Sequence, residues 1–171
     1  IDSIRYAPDA PPPVLFAARE LQRYLAATVG AALPILPGAQ QPGAFHVASA
    51  ASEPAAAAVL GGIDDGRYDH SAAVARNGCV WLVGENPVSA LFAVYDFLKA
   101  TCGVRFFGPG PEHEHVPRHE RLDLPGDGEI LRQSSAFALR DYWTSNPDTI
   151  DFAVKNRLNM ISMGGAPPWA H

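Results

Sequence analysis

Residues Leu82 to Gly110 read LVGENPVSALFAVYDFLKATCGVRFFGPG, and the fold turns on what the break after Gly84 does. A phosphate-holding loop needs backbone amides free to approach an anion, in a Gly-x-Gly-x-x-Gly run or a loop ending in Gly-Lys-Ser/Thr. Here Gly84 is followed by Glu85, Asn86 and Pro87. A carboxylate at that point opposes an anion, and the proline removes one donor amide. The stretch therefore reads as a strand that folds back into a helix. Residues 79–83 form a short buried strand, Asn86 caps, and Pro87 takes the first helical position. The helix runs to Cys102 and stops at Gly103. Its apolar face is wide: Ala90 or Leu91, Val94, Phe97 or Leu98, and Cys102.

On the amino-terminal side, residues 3–7 read as a strand and Asp9-Ala-Pro-Pro-Pro13 starts a helix. Val14, Ala17, Leu21, Tyr24 or Leu25, and Thr28 recur at three- and four-residue spacing, and Gly30 ends the helix. Residues 33–36 are a short strand that proline confines to a sheet edge or to its first residues. Residues 45–49 are another strand, and 53–60 a short Ala-rich helix closed by Gly61-Gly62. Asp64-Asp65-Gly66 is a turn. Residues 68–76 suit a strand, and Asn77-Gly78 is a hairpin signal that pairs them antiparallel with 79–83. Val104 to Phe107 is expected to return to the sheet before Gly108-Pro109-Gly110-Pro111 ends it. This order gives an α/β sandwich over residues 3–124, one mixed sheet with its helices packed on it.

Pro125-Gly126-Asp127-Gly128 then reads as a linker. Beyond it, residues 135–140 are a strand candidate, Asn146-Pro147 repeats the cap-plus-proline device, and Ile150, Ala153 or Val154, and Leu158 make one helical face. Residues 159–163 are again strand-like, closed by Gly164-Gly165. Strand, loop, helix, strand suits one βα step toward a parallel sheet or barrel. Two such strands cannot close a barrel, so the expected division is 1–125 and 126–171, the second part being the opening of a further domain.

The 171 residues are 47% hydrophobic, enough for one domain with a core. The net charge of −5 is not concentrated anywhere, and nothing basic is clustered, which argues against nucleic acid or an anionic membrane as partner. No apolar run approaches the roughly 20 residues that span a bilayer. The chain opens on Ile1-Asp2-Ser3 without Met, basic n-region or apolar h-region, as after a processing or cloning boundary. Cys79 begins a strand and Cys102 ends the helix returning over it, so the two can lie close. Two buried thiols are the favoured state over a disulfide.

Three stretches carry a resemblance: AxELQRYLxxxxGxxLPIL at Ala18 to Leu36, the YDFL...GVRFF.PG block at Tyr95 to Gly110, and Glu114-His115-Val116-Pro117. Residues 1–125 resemble the accessory domain preceding the catalytic barrel in glycoside hydrolases such as the β-N-acetylhexosaminidases and α-glucuronidases. ALRDYWTSNPDTIDFAVKNRLNMISM resembles the first βα step of that (β/α)8 TIM barrel. Ser89 and Ala93 stand where the family often has glycine. The resemblance implies a mixed α/β sheet with helices on one face, an accessory domain packed on the barrel, a carbohydrate substrate, and a secreted or periplasmic setting; no cofactor is expected. It also implies substrate contact by Arg140 at the carboxyl end of the first barrel strand, with Asp141, Tyr142 and Trp143 beside it. An aromatic suits a sugar face and a guanidinium a uronate; the structural alternative pairs Arg140 with Asp141 or Asp148.

Glycoside hydrolysis uses two carboxyl groups at fixed separation. In the related barrels they lie on later strands, so no catalytic residue is assigned here and the segment is expected to be inactive alone. A stand-alone module binding a glycan or a protein is the alternative. Glu112-His113-Glu114-His115, with His119 and Glu120, has zinc-type donors but no HExxH spacing, and reads as a solvated connection.

Overall fold

The computed structural model describes residues 1–30, 32–62, 65–144 and 149–163. Asp64, Asn146-Pro147, Asp148 and Gly164-Gly165 lie outside the described residues. The centre is a six-stranded mixed sheet in the order β2-β1-β3-β5-β4-β8. Its strands are β1 (Ser3–Tyr6), β2 (Ile35–Pro37), β3 (Ala44–Ser49), β4 (Tyr68–Arg76), β5 (Cys79–Gly84) and β8 (Gly128–Ser135). The pairs β2/β1, β1/β3 and β3/β5 are parallel, while β4 runs antiparallel to both β5 and β8. The hairpin comes from Asn77 and Gly78, whose φ values of 54° and 72° meet the left-handed requirement of a tight turn.

Two long helices cover one face. In α1 (Pro12–Val29) the residues spaced for one stripe, Val14, Ala17, Leu21, Tyr24, Leu25 and Thr28, are all buried, and Gly30 ends the helix at φ 69°. In α3 (Pro87–Thr101) every residue from Ser89 to Leu98 is buried, because the helix is enclosed rather than half-exposed. Asn86 caps it, its side-chain oxygen accepting from the amides of Val88 and Ser89. Pairing alternates across β5: Val80 and Leu82 face α1 and α3, while Cys79, Trp81 and Val83 face the other way. On that second face lies α2 (Pro54–Leu60), through Ala56 and Leu60. The mixed α/β class is as the sequence indicates, with one correction: helices pack on both faces. An Ala-rich helix this short presents too little apolar surface to reveal its side.

Gly84 answers the question of the opening stretch. A Cβ there would lie 2.0 Å from the Ala90 nitrogen and 2.1 Å from the Ser89 carbonyl carbon. The glycine lets the first turn of α3 sit directly on the end of β5, and the helix backbone fills the space above it.

Three further expectations are corrected. Residues 104–107 do not rejoin the sheet. Instead β6 (Arg105–Phe106) pairs antiparallel with β7 (Glu114–His115) in a ribbon around the short 3-10 turn Pro111–His113. Phe106 turns inward, edge-on to Tyr24 and Tyr95 at 5.6 Å each. The expected linker, Pro125 to Gly128, runs into a strand: Gly128 begins β8, which lines up on β4 with irregularities at Tyr68/Ser71 and Ala73/Val74. Its sequence, GEILRQSS, is too polar to announce a strand because it is an edge. Finally, Cys79 and Cys102 lie in separate core clusters rather than close together, while both are the free, buried thiols favoured over a disulfide.

The last described stretch comprises β9 (Asp141–Thr144), α4 (Ile150–Lys155) and β10 (Met160–Met163). Strands β9 and β10 pair in parallel, Met160 opposite Asp141, so the strand-helix-strand reading holds. The strand expected over 135–140 is displaced. Residues 136–140 are irregular and β9 starts at Asp141. On α4, Ala153 is buried but Ile150 is 43% exposed, so the expected stripe is realised only in part.

Candidate functional site

Where the α/β body meets the β9–α4–β10 unit, charged side chains come together from stretches far apart in sequence. Asp69 is the hub. It occupies a break in β4 pairing, between Tyr68 and Ser71, and holds a left-handed backbone at φ 51°. One carboxylate oxygen accepts from Asn86 Nδ2 at 3.1 Å and Ser89 Oγ at 3.3 Å. The other accepts from Arg140 Nη2 at 2.5 Å and Asn159 Nδ2 at 3.0 Å. Burial alone would raise the pKa of this carboxyl; the hydrogen bonds from Arg140 and Asn86 and the Arg140 charge outweigh it and hold Asp69 below the usual range.

Each nitrogen of the Arg140 guanidinium donates to the protein. Nε donates to the Arg157 carbonyl at 2.7 Å and Nη1 to the Phe137 carbonyl at 2.6 Å, alongside the bond to Asp69. Arg157 lies beside it. Its guanidinium donates to Asp96, to Ser71 Oγ at 2.8 Å and to the Asp69 carbonyl at 2.6 Å. Both guanidinium groups approach the ring of buried Phe92, at 5.9 Å for Arg140 and 5.0 Å for Arg157.

The backbone of Arg157 shows what this costs. Leu158 N donates to the Ala153 carbonyl at 3.0 Å and Arg157 N to that of Val154 at 3.0 Å, which is the closing pattern of a helix whose next residue turns left-handed. That residue is Arg157, at φ 62°, in a position that favours glycine.

A third charge pair stands on the far side of α4. Lys155 Nζ lies 2.8 Å from Glu114 Oε1, and Tyr24 Oη donates to the same oxygen at 2.7 Å. Burial opposes ionisation of Glu114, and the bonds from Lys155 and Tyr24 reverse that, keeping it a carboxylate below its ordinary range. The division of sign is consistent. Asp69, Asp96 and Glu114 belong to the body, and Arg140, Arg157 and Lys155 to the following unit.

The four residues singled out from the sequence therefore separate. Arg140 precedes β9, at its amino end rather than at the carboxyl end of a strand, and its partner is Asp69 rather than Asp141. Tyr142 is half-buried, edge-on to Phe152 at 6.1 Å. Asp141 and Trp143 share the other side of β9, where Trp143 is 50% exposed. Asp69, Asp96, Arg157 and Asn159 were not legible as a group. The available signal was a carboxylate near the start of a strand whose middle is small residues, at Asp69, and it says nothing about partners 71 and 90 positions away.

The His/Glu loop disperses too. His113 and Glu112 are more than half exposed, with 3.7 Å between Nε2 and Oε1, while Glu114 turns inward to Lys155. His119 closes the connection, its Nε2 at 3.0 Å from the Cys102 carbonyl and its backbone amide donating to the Thr28 carbonyl at 2.8 Å. Among the described residues, no group of three or more His, Cys, Asp or Glu side chains is placed to hold a metal ion. No helix among them is long and apolar enough to cross a membrane.

No protein-family model matches this sequence, and no curated protein matches it.

Proposed function

We propose that the chain is the accessory α/β domain and barrel opening of a carbohydrate-active glycoside hydrolase, hexosaminidase- or α-glucuronidase-like, with its catalytic carboxylates on strands outside these residues. One observation carries the reading. A parallel β9–α4–β10 unit follows the mixed sheet and is fastened to it by three ion pairs of one polarity, Asp69–Arg140, Asp96–Arg157 and Glu114–Lys155. That arrangement suits an accessory domain whose task is to hold the first step of a barrel in place. Under this reading Arg140 is a positioning residue, and Trp143, half-exposed on β9, is the member of the tetrad that faces a sugar.

The test uses the protein encoded by the complete reading frame, assayed with aryl glycosides of N-acetylhexosamines and hexuronic acids. Turnover by the longer protein, with none by residues 1–171 alone, supports the proposal. Turnover by 1–171 alone overturns the assignment of its acids elsewhere. Glycan binding without turnover by the complete protein would instead favour the non-catalytic module, for which the exposed Phe137, Leu139 and Trp143 are the motive.

A further inference from the structure

On the face of the sheet opposite α1 and α3, a cleft of about 300 Å³ lies between α2, the β2–β3 loop and the β4–β5 hairpin. Its floor is Trp81 and Cys79, and Val59 of α2 forms an apolar wall. Its other side is polar: Gln40 and Gln41 from the loop, Arg76 and Asn77 from the hairpin. The guanidinium of Arg76 makes no ion pair or hydrogen bond with any described residue, and the side-chain amides of Gln40, Gln41 and Asn77 are likewise unused.

No acid among the described residues forms an ion pair with Arg76. Glu53 turns to His46, with both carboxylate oxygens 3.0 Å from Nε2. Asp127 accepts from the Asn77 amide at 2.8 Å. The cleft is also firm. Gly43 N donates to the Gly78 carbonyl at 2.8 Å, which pins the loop to the hairpin, and Trp81 is held edge-on by buried His46 at 4.8 Å. A cleft with an apolar floor, side-chain amides along its polar side and one guanidinium free of ion pairs among the described residues is the chemistry that takes up a carboxylate with a flat apolar body.

We propose that this cleft binds a small organic carboxylate, its acid group on Arg76 with the amides of Gln40, Gln41 and Asn77, and its body between Val59 and the Trp81–Cys79 floor. The cysteine belongs to the floor and is not a nucleophile, since burial pushes its thiol up to about 11. The site is independent of the Asp69–Arg140 junction and of the glycosidase reading.

Benzoate is the probe, titrated into isotopically labelled protein while amide and indole resonances are followed. Benzamide, which lacks the charge, and acetate, which lacks the body, are titrated in parallel. Saturable shifts at Gln40, Gln41, Arg76, Asn77 and the Trp81 indole, with a Kd near or below about 1 mM, are expected. Benzamide and acetate should bind at least about tenfold more weakly. Arg76→Gln, at an exposed position, should weaken benzoate by about tenfold or more, and Ala58→Phe on the outer wall should block it while the fold stays intact by circular dichroism. Absence of saturable shifts with benzoate, equal binding of benzamide, or undiminished binding by Arg76→Gln would each overturn the proposal.

Discussion

Asp69 and Arg157, 88 positions apart, both hold left-handed backbones, and the guanidinium of Arg157 donates to the carbonyl of Asp69 at 2.6 Å. A left-handed backbone is uncommon outside glycine, less so for an aspartate than for an arginine, and costs on the order of 1 kcal/mol. Both persist because the bonds they enable hold two parts of the chain together.

Arg157→Gly therefore sets two effects against each other. Glycine relieves the left-handed backbone, a gain of about 1 kcal/mol. Removing the guanidinium leaves Asp96 and the Asp69 carbonyl without their donor, a loss of about 3 kcal/mol or more. Denaturant unfolding should show net destabilisation by about 2 kcal/mol, and a more stable variant would mean that the arginine bonds contribute little.

Asp69→Asn keeps the shape of the hub and removes its charge. About 2–3 kcal/mol should be lost, because Arg140 then has no anion in a half-buried place. The same change should flatten the acid limb of stability. Asp69 and Glu114 are both more acidic folded than unfolded, so the unfolded chain binds more protons as pH falls. Their contribution is complete above the unfolded value of about 4 and disappears as pH drops through the folded ones. Thermal melts between neutral pH and about pH 3 should show this decline in the wild type and a shallower one in Asp69→Asn.

For Arg140→Ala and Trp143→Ala the expected outcomes differ in kind. The first should destabilise by about 2–3 kcal/mol, since Asp69 and two carbonyls lose a donor. The second, at a half-exposed position, should change stability by about 0.5 kcal/mol or less. In the complete protein Trp143→Ala should instead weaken binding of an acetamido or uronic sugar. Unchanged sugar affinity would take Trp143 out of the proposed site.

Gly84→Ala should prevent folding, with a cost above about 4 kcal/mol. The added methyl meets backbone of α3 and not a movable side chain. Soluble yield and far-UV circular dichroism would measure it, and a folded variant would show that α3 can shift along β5.

Cys79 and Cys102 should resist thiol reagents at neutral pH. Burial pushes their thiols up to about 11 and about 12, respectively. Labelling should become rapid only in denaturant, and fast labelling of the native protein would place at least one thiol at the surface.

The main sheet was legible wherever local chemistry dictates local shape. Asn77-Gly78, Asn86-Pro87, Gly30 and Gly103 each carry their conformation in the residue itself, and the stripe on α1 follows from its spacing. The parallel pairing of β9 and β10 was legible for the same reason. Edges and faces were not. β8 is polar because one side is open, and α2 is mostly alanine, so neither advertises what it packs against. The start of β9 was misplaced because Ala136, Phe137, Ala138 and Leu139 look as apolar as a strand, although Phe137 and Leu139 are 72% and 70% exposed. The junction was beyond sequence reading altogether. Arg140 meets Asp69 through the path of the chain and not through proximity along it.

The one-signed arrangement across the junction has a bearing on where this polypeptide can be cut. Severing it at Pro125-Gly126 to isolate the sandwich would strand three carboxylates that were built to be neutralised from downstream, and would strip β8 from the sheet. The excised piece should be less soluble near mildly acidic pH and quicker to be digested than its own compact core suggests. A crystallographer trimming the gene would do better to leave everything through β10 attached.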